Sequence, residues 1–178
     1  MPKPEERFYR LVKQFLFLYV GKGVKEHMKA EYINPFLESA RIVIEQVANV
    51  RPTTGKLSVK DIYFIERYVW IQIGMTGQMQ GNIRFGFEES TALRMVSAMM
   101  GGFILTELDE MGHSAISELG NMISGNASTI LYNQGIKVDI TPPKVVTGDV
   151  HEVDALKALT VPLLMDGIGE LDIQVLLA

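Results

Sequence analysis

Apolar residues recur along this chain at two spacings, and the switches between them lay out its elements. From Pro4 to Val20 the positions Phe8, Leu11, Val12, Phe15 and Tyr19 keep a three-to-four-residue interval, which predicts an amphipathic helix ended by Gly21-Lys-Gly23. A second helix is expected after Asn34-Pro35, an N-cap and first-turn pair, running through Ile42, Val43, Ile44 and Val47 to about Asn49 and closed by Pro52. Strand-like material follows in Tyr68–Ile73 and Asn82–Phe87, separated by the glycine-rich stretch Gly74–Gly81 and therefore read as a hairpin, with a short strand near Leu57–Lys60 before it. Glu88–Met100 returns to helical spacing through Leu93, Val96 and Met100 and stops at Gly101-Gly102. The longest helical segment spans about Asp109 to Gln134, with acidic residues in its first turn and Gly135 just past its end. Four strand-like segments come last, Ile136–Ile140, Lys144–Thr147, Leu156–Met165 and Gly169–Leu177, joined by Pro142-Pro143 and by the two-residue hairpin signal Asp166-Gly167.

Strands joined mainly by hairpins imply an α+β chain: a largely antiparallel sheet packed against long helices. The two halves echo each other. Phe36-Leu-Glu38-Ser-Ala-Arg41 followed by a Gly-centred hairpin parallels Ile116-Ser-Glu118-Leu-Gly-Asn121 followed by the Asp166-Gly167 hairpin. This is either two similar α-β-β halves or the ordinary likeness of any two such units. Arg41 stands where the second half has Asn121, so a chemical site is expected on one helix only.

That site is sought on the long helix. At ~100° per residue, Ser114, Glu118, Asn121, Gly125 and Ser128 fall on one stripe, and Ile116, Leu119, Ile123, Ala127 and Ile130 on the opposite one. A solvated face ordinarily carries Lys, Arg and Glu for solubility and i,i+4 pairing. Here a carboxylate and a carboxamide sit one turn apart among small residues that let another protein approach closely. The stripe is thus either an ordinary polar face or a candidate site. Gly120, Ser124 and Gly125 weaken helix propensity, by roughly 1 kcal/mol for each glycine, and leave room for the helix to enter a partner. For all three the alternative is close packing on the chain's own second helix, an alternative weaker at Gly125 than at Gly120.

Composition narrows the partners. The 178 residues suit one domain, and a 47% hydrophobic content supports a real core. A net charge of -4 provides no basic stripe for nucleic acid. With no cysteine there is neither disulfide framework nor thiolate chemistry, and Phe15–Val20 is too short to span a bilayer, so a cytoplasmic, soluble protein is expected. His27, His113 and His151 keep no ligand spacing. Asp149, His151, Glu152 and Asp154 read as a solvated acidic turn, and Met95, Met99, Met100 and Met122 as core filler. No metal site of the chain's own is expected.

The run Glu118-Leu-Gly-Asn121-Met-Ile-Ser-Gly125-Asn-Ala resembles the E-x-x-N signature of the CheC/CheX/FliY phosphatases of bacterial chemotaxis. The likeness extends from Tyr32 onwards, through Ile33-Asn-Pro-Phe36, Thr76-Gly-Gln-Met-Gln-Gly-Asn82, Glu89-Ser-Thr-Ala-Leu93, Met99-Met-Gly101 and Gly135–Ile140. One E-x-x-N helix with a degenerate counterpart at Glu38–Arg41 looks like the CheX type. The resemblance implies a CheC-like domain over residues 30–178, preceded by an N-terminal helical extension, residues 1–29, that the family pattern lacks. The residue 4–20 helix of that extension either packs on its own domain or offers a docking or oligomer surface.

The resemblance further implies hydrolysis of the aspartyl phosphate on a CheY-like receiver. Asn121 would orient the attacking water, Glu118 would pair with a receiver lysine, and Ser114, Gly125 and Ser128 would contact the partner. Mg²⁺ would be supplied by the receiver, and a homodimer is expected. Two other readings stand beside this one: a non-catalytic module of the same fold that binds a receiver or flagellar-switch partner, and a structural homo-oligomer driven by the residue 4–20 helix.

Overall fold

The computed structural model describes Arg10 and residues 30–61, 67–147 and 157–177. The helix expected over 4–20, Arg10 apart, and the acidic turn at 149–154 lie outside the described residues. The described part holds three helices, α1 (Ala30–Ala48), α2 (Glu89–Met99) and α3 (Glu110–Asn133). Its strands are β1 (Thr53–Thr54), β2 (Ser58–Asp61), β3 (Tyr68–Gly77), β4 (Gly81–Glu88), β5 (Val138–Ile140), β6 (Lys144–Thr147), β7 (Lys157–Met165) and β8 (Gly169–Leu177).

All strand pairs are antiparallel and form one sheet in the order β1-β7-β8-β4-β3-β5, with β2 also on β7 and β6 also on β3. The order helix, short strands, hairpin occurs twice, and the short strands of each set pair with the other set's hairpin. β4 and β8 meet in the centre, with Phe85 opposite Ile173. That exchange ties the two sets of elements into a single core.

Side chains alternate across a strand. Val69, Ile71, Ile73 and Met75 of β3, Ile83, Phe85 and Phe87 of β4, and Leu171, Ile173 and Val175 of β8 are buried and belong to one cluster with the helices. Ile33, Phe36, Ala40, Val43 and Ile44 of α1 and Ile116, Leu119, Ile123 and Ala127 of α3 enter it from the helical side. At alternate positions of the same strands stand Tyr68, Trp70, Glu170, Asp172 and Gln174. There Lys60 Nζ donates to Asp172 Oδ2 at 3.3 Å and the Tyr68 hydroxyl donates to the same oxygen at 3.5 Å. Trp70 pairs across the ladder with Gly86, where any Cβ would overlap its indole.

Four expectations need correction. Asn34-Pro35 does not start the second helix: α1 is helical from Ala30 with Pro35 inside it. The helix survives because Ile33 and Phe36, on either side of the proline, are fully buried, and packing outweighs the lost backbone bond. The Asp166-Gly167 turn has three residues rather than two, since Met165 pairs with Gly169 and both Gly167 (φ 72) and Gly169 (φ 134) adopt positive φ. β3 runs on to Gly77, because Thr76 and Gly77 pair with β5. Of the methionines read as filler, Met95 is fully buried, whereas Met99, Met100 and Met122 are half-buried at the rim of the core.

Candidate active site on helix α3

α3 is set at both ends by local chemistry. Asp109 caps it, its Oδ1 accepting from the Gly112 N–H at 2.9 Å and satisfying one of the free donors of the first turn. At the other end Gly135 takes φ 75, which lets the Ile136 N–H reach back to the Leu131 carbonyl at 3.0 Å.

One side of the helix is sealed. Gly112, Ile116, Leu119, Gly120, Ile123, Ser124, Ala127 and Leu131 are buried. From Gly120 the buried line advances mostly by fours, so it drifts around the axis; Leu131 therefore takes the inward place expected for Ile130, which is half-buried. The opposite stripe faces outward: Ser114, Glu118, Asn121 and Gly125 are exposed. Ser128 is half-buried instead, being only ~40° around the axis from the buried Ser124. Glu118 and Asn121 lie three residues apart, about 4.5 Å along the axis, on a rod whose back is clamped to the sheet.

The small residues around them divide into two kinds. Gly120 does not clear space for a partner: it is buried, and the nearest atoms to a Cβ built on it lie on the sheet and the loop before β6. A Cβ there would lie 2.8 Å from Ile71 Cγ2 and 3.0 Å from Pro143 Cβ, so the glycine lets α3 press onto β3 and onto the loop before β6. That loop is itself pinned, with the Gly74 N–H donating to Thr141 Oγ1 and the Thr141 N–H to the Gly74 carbonyl, both at 2.9 Å. Ser124 is also inward, its hydroxyl donating to the Gly120 carbonyl at 2.8 Å. Gly125 is different, because no atom lies within 4 Å of a Cβ built on it. The sequence pattern could not separate these cases, since all three are small residues that weaken the helix, whereas the contacts across the helix do.

α1 carries no equivalent arrangement. Glu38 and Glu45 are exposed and Arg41 is half-buried, lining with Glu31, Ile42 and Gln134 a groove of about 1240 Å³ that Glu118 and Asn121 do not touch. Among the described residues no three His, Cys, Asp or Glu side chains converge as metal ligands. What the stripe offers is a donor-and-acceptor amide and one anionic acceptor, presented on an exposed helix face. This suits work inside another protein's site better than capture of a small molecule.

A family model described as chemotaxis phosphatase CheX matches residues 69–164, a span that contains all of α3. A Thermotoga maritima protein named CheY-P phosphatase CheX is 42% identical over 121 residues, which is 68% of this chain and 78% of that protein. Among solved structures, a CheC-like superfamily protein from Shewanella sp. PV-4 superposes with a TM-score of 0.72 at 29% identity, covering 85% of this chain and 99% of its own. The CheX–CheY–BeF3–Mg²⁺ complex from Borrelia burgdorferi gives 0.67 at 27% identity, with 82% of this chain and 96% of that chain covered. Helices layered on one antiparallel sheet, the family-model match over more than half the chain and the identity to the Thermotoga protein agree: the chain belongs to the CheX chemotaxis phosphatase family.

Proposed function

We propose that this chain is a phosphatase that accelerates loss of the aspartyl phosphate from a CheY-like receiver, with Asn121 and Glu118 as its working residues. The observation that carries the reading is the exposure of both side chains on a helix whose other side is buried, in a chain of a family whose Thermotoga member is named a CheY-P phosphatase. In the reaction the oxygen of water bonds to phosphorus, the P–O bond to the aspartyl carboxyl breaks, and the carboxylate and inorganic phosphate leave. The acyl phosphate is a labile mixed anhydride and its transition state is loose, so an in-line water matters more than a strong base. The Asn121 carboxamide can accept from that water and donate to it at once, which lowers the entropic part of the barrier. Glu118, one turn earlier, supplies a carboxylate for a receiver lysine and so sets the angle at which Asn121 enters. Mg²⁺ belongs to the receiver in this scheme.

Ser114 and Gly125 contact the receiver beside this pair, and Ser128 does so from its half-buried position. The same reading makes the chain cytoplasmic and a homodimer. The test is the rate of phosphate loss from a phosphorylated receiver with Mg²⁺ present. Wild-type protein accelerates it, and Asn121→Ala removes the acceleration with melting unchanged. Equal rates with and without the wild-type protein, alongside tight receiver binding, would instead identify a binding module of the same fold.

A further inference from the structure

Glu118, Asn121 and their small neighbours provide chemistry but little apolar area, while interfaces draw their affinity from a few aliphatic or aromatic anchors. The structure carries such anchors at the N-terminal end of the same helix. Phe103, Ile104 and Met111 are 59%, 81% and 52% exposed, three of the five large hydrophobic side chains so exposed among the described residues. They are not exposed for want of structure. Gly101 (φ 69) and Gly102 (φ 95) turn the chain out of α2, and the Gly102 N–H closes on the Ser97 carbonyl at 2.8 Å. On the far side, Leu105 and Leu108 fold against the core, with Leu108 Cδ1 only 2.9 Å from a Cβ built at Gly112 in the first turn of α3. Phe103 and Ile104 are therefore held outward between two anchored points.

Met111 is ten residues before Asn121, about 15 Å along the axis, and seven before Glu118, about 10 Å. A standard interface covers about 800 Å² per partner, a patch roughly 30 Å across, so a protein seated over Glu118 and Asn121 reaches Met111 and the loop before it. The charge of this stretch also selects the occupant. Between Arg94 and Lys137 there is no lysine or arginine, whereas Glu107, Asp109, Glu110 and Glu118 are all exposed. Acidic side chains dominate this stretch, with the exposed Arg67 beside Leu108 and His113 a nearby cation from another part of the chain; the stretch fits a partner presenting lysine beside an apolar hollow, and an anionic lipid surface is disfavoured.

Resting on the function proposed above, we infer that Phe103, Ile104 and Met111 form the apolar anchor that holds the receiver while α3 addresses its phosphate. The experiment measures affinity of the full chain for a CheY-like receiver from the same genome, trapped with beryllofluoride and Mg²⁺. Phe103→Ser/Ile104→Ser raises Kd at least tenfold, Met111→Ser raises it severalfold, the conservative Ile104→Leu keeps wild-type affinity, and melting is unchanged throughout. An unchanged Kd for the double variant would overturn the inference, as would a lowered oligomeric mass, which would assign the patch to a second copy of the chain. The two readings fail separately: Asn121→Ala with full phosphatase activity removes the proposed function, whereas intact binding by the Phe103/Ile104 variant removes only the anchor.

Discussion

Alanine at Gly125 and at Gly120 should have opposite effects on stability, although both positions are glycines inside one helix. At Gly125 nothing lies within 4 Å of an added Cβ, so only backbone propensity changes. Alanine is favoured over glycine by about 1 kcal/mol in a helix interior. For a chain of this size that raises Tm by roughly 2–4 °C. At Gly120 the same gain is opposed by a Cβ 2.8 Å from Ile71 Cγ2 and 3.0 Å from Pro143 Cβ, neither of which is the free end of a flexible side chain. Overpacking of this kind costs about 1–3 kcal/mol, so the net effect is a destabilisation of up to about 2 kcal/mol.

The two variants also part in function. A methyl group on Gly125, about 6 Å along the axis from Asn121, stands between α3 and the receiver. A misfit of about 1–3 kcal/mol at such a contact lowers affinity roughly 5- to 150-fold. Thermal melts by circular dichroism, with titration of the beryllofluoride-trapped receiver, read both effects. If Gly125→Ala lowers Tm, the outward face of α3 is wrongly drawn. If it raises Tm and binds the receiver as well as wild type does, close approach at Gly125 is not what that glycine provides.

Two further outcomes follow from the same contacts. Asp109→Ala removes the carboxylate that caps Gly112 and should cost about 1 kcal/mol, read as a lower urea midpoint, while Asp109→Asn retains most of the cap. Glu170 has its pKa raised, first by burial and then by the neighbouring Asp172 carboxylate. Its folded value therefore exceeds its unfolded one, so its contribution is neutral below the ordinary glutamate value of about 4.3 and turns unfavourable as pH rises through the folded value. Glu170→Gln should consequently raise the urea midpoint at neutral pH, with the difference vanishing in acid; a drop at neutral pH would contradict this.

Much of the architecture is legible in spacing alone. α3 was expected over Asp109 to Gln134 and spans Glu110–Asn133, because a cap, a long apolar stripe and a terminal glycine all agree there. β6 and β8 match their expected bounds, and a strand was expected near β2. Misreadings arose where a local signal met a stronger distant one. Pro35 reads as a helix start until the burial of Ile33 and Phe36 is counted, and the first hairpin strand reads as ending at Ile73 until β5 arrives to pair with Thr76 and Gly77. Ile130 and Leu131 are neighbours in an apolar run, and which one turns inward depends on the drift of the contact line along α3.

Periodicity by itself determined that one helix would carry Glu118 and Asn121 on a single polar stripe opposite an aliphatic one, because 3.6 residues per turn is a local property of the backbone. Which small residues serve packing and which leave the surface open was decided only by tertiary structure. Gly120 meets Ile71 and Pro143, Ser124 turns inward, and Gly125 meets nothing, since a close approach is made by atoms far away in the chain. The outward setting of Phe103 and Ile104 was decided there too, because the same apolar residues would be core wherever the fold brought a partner over them, and here the neighbours Leu105 and Leu108 take that place instead.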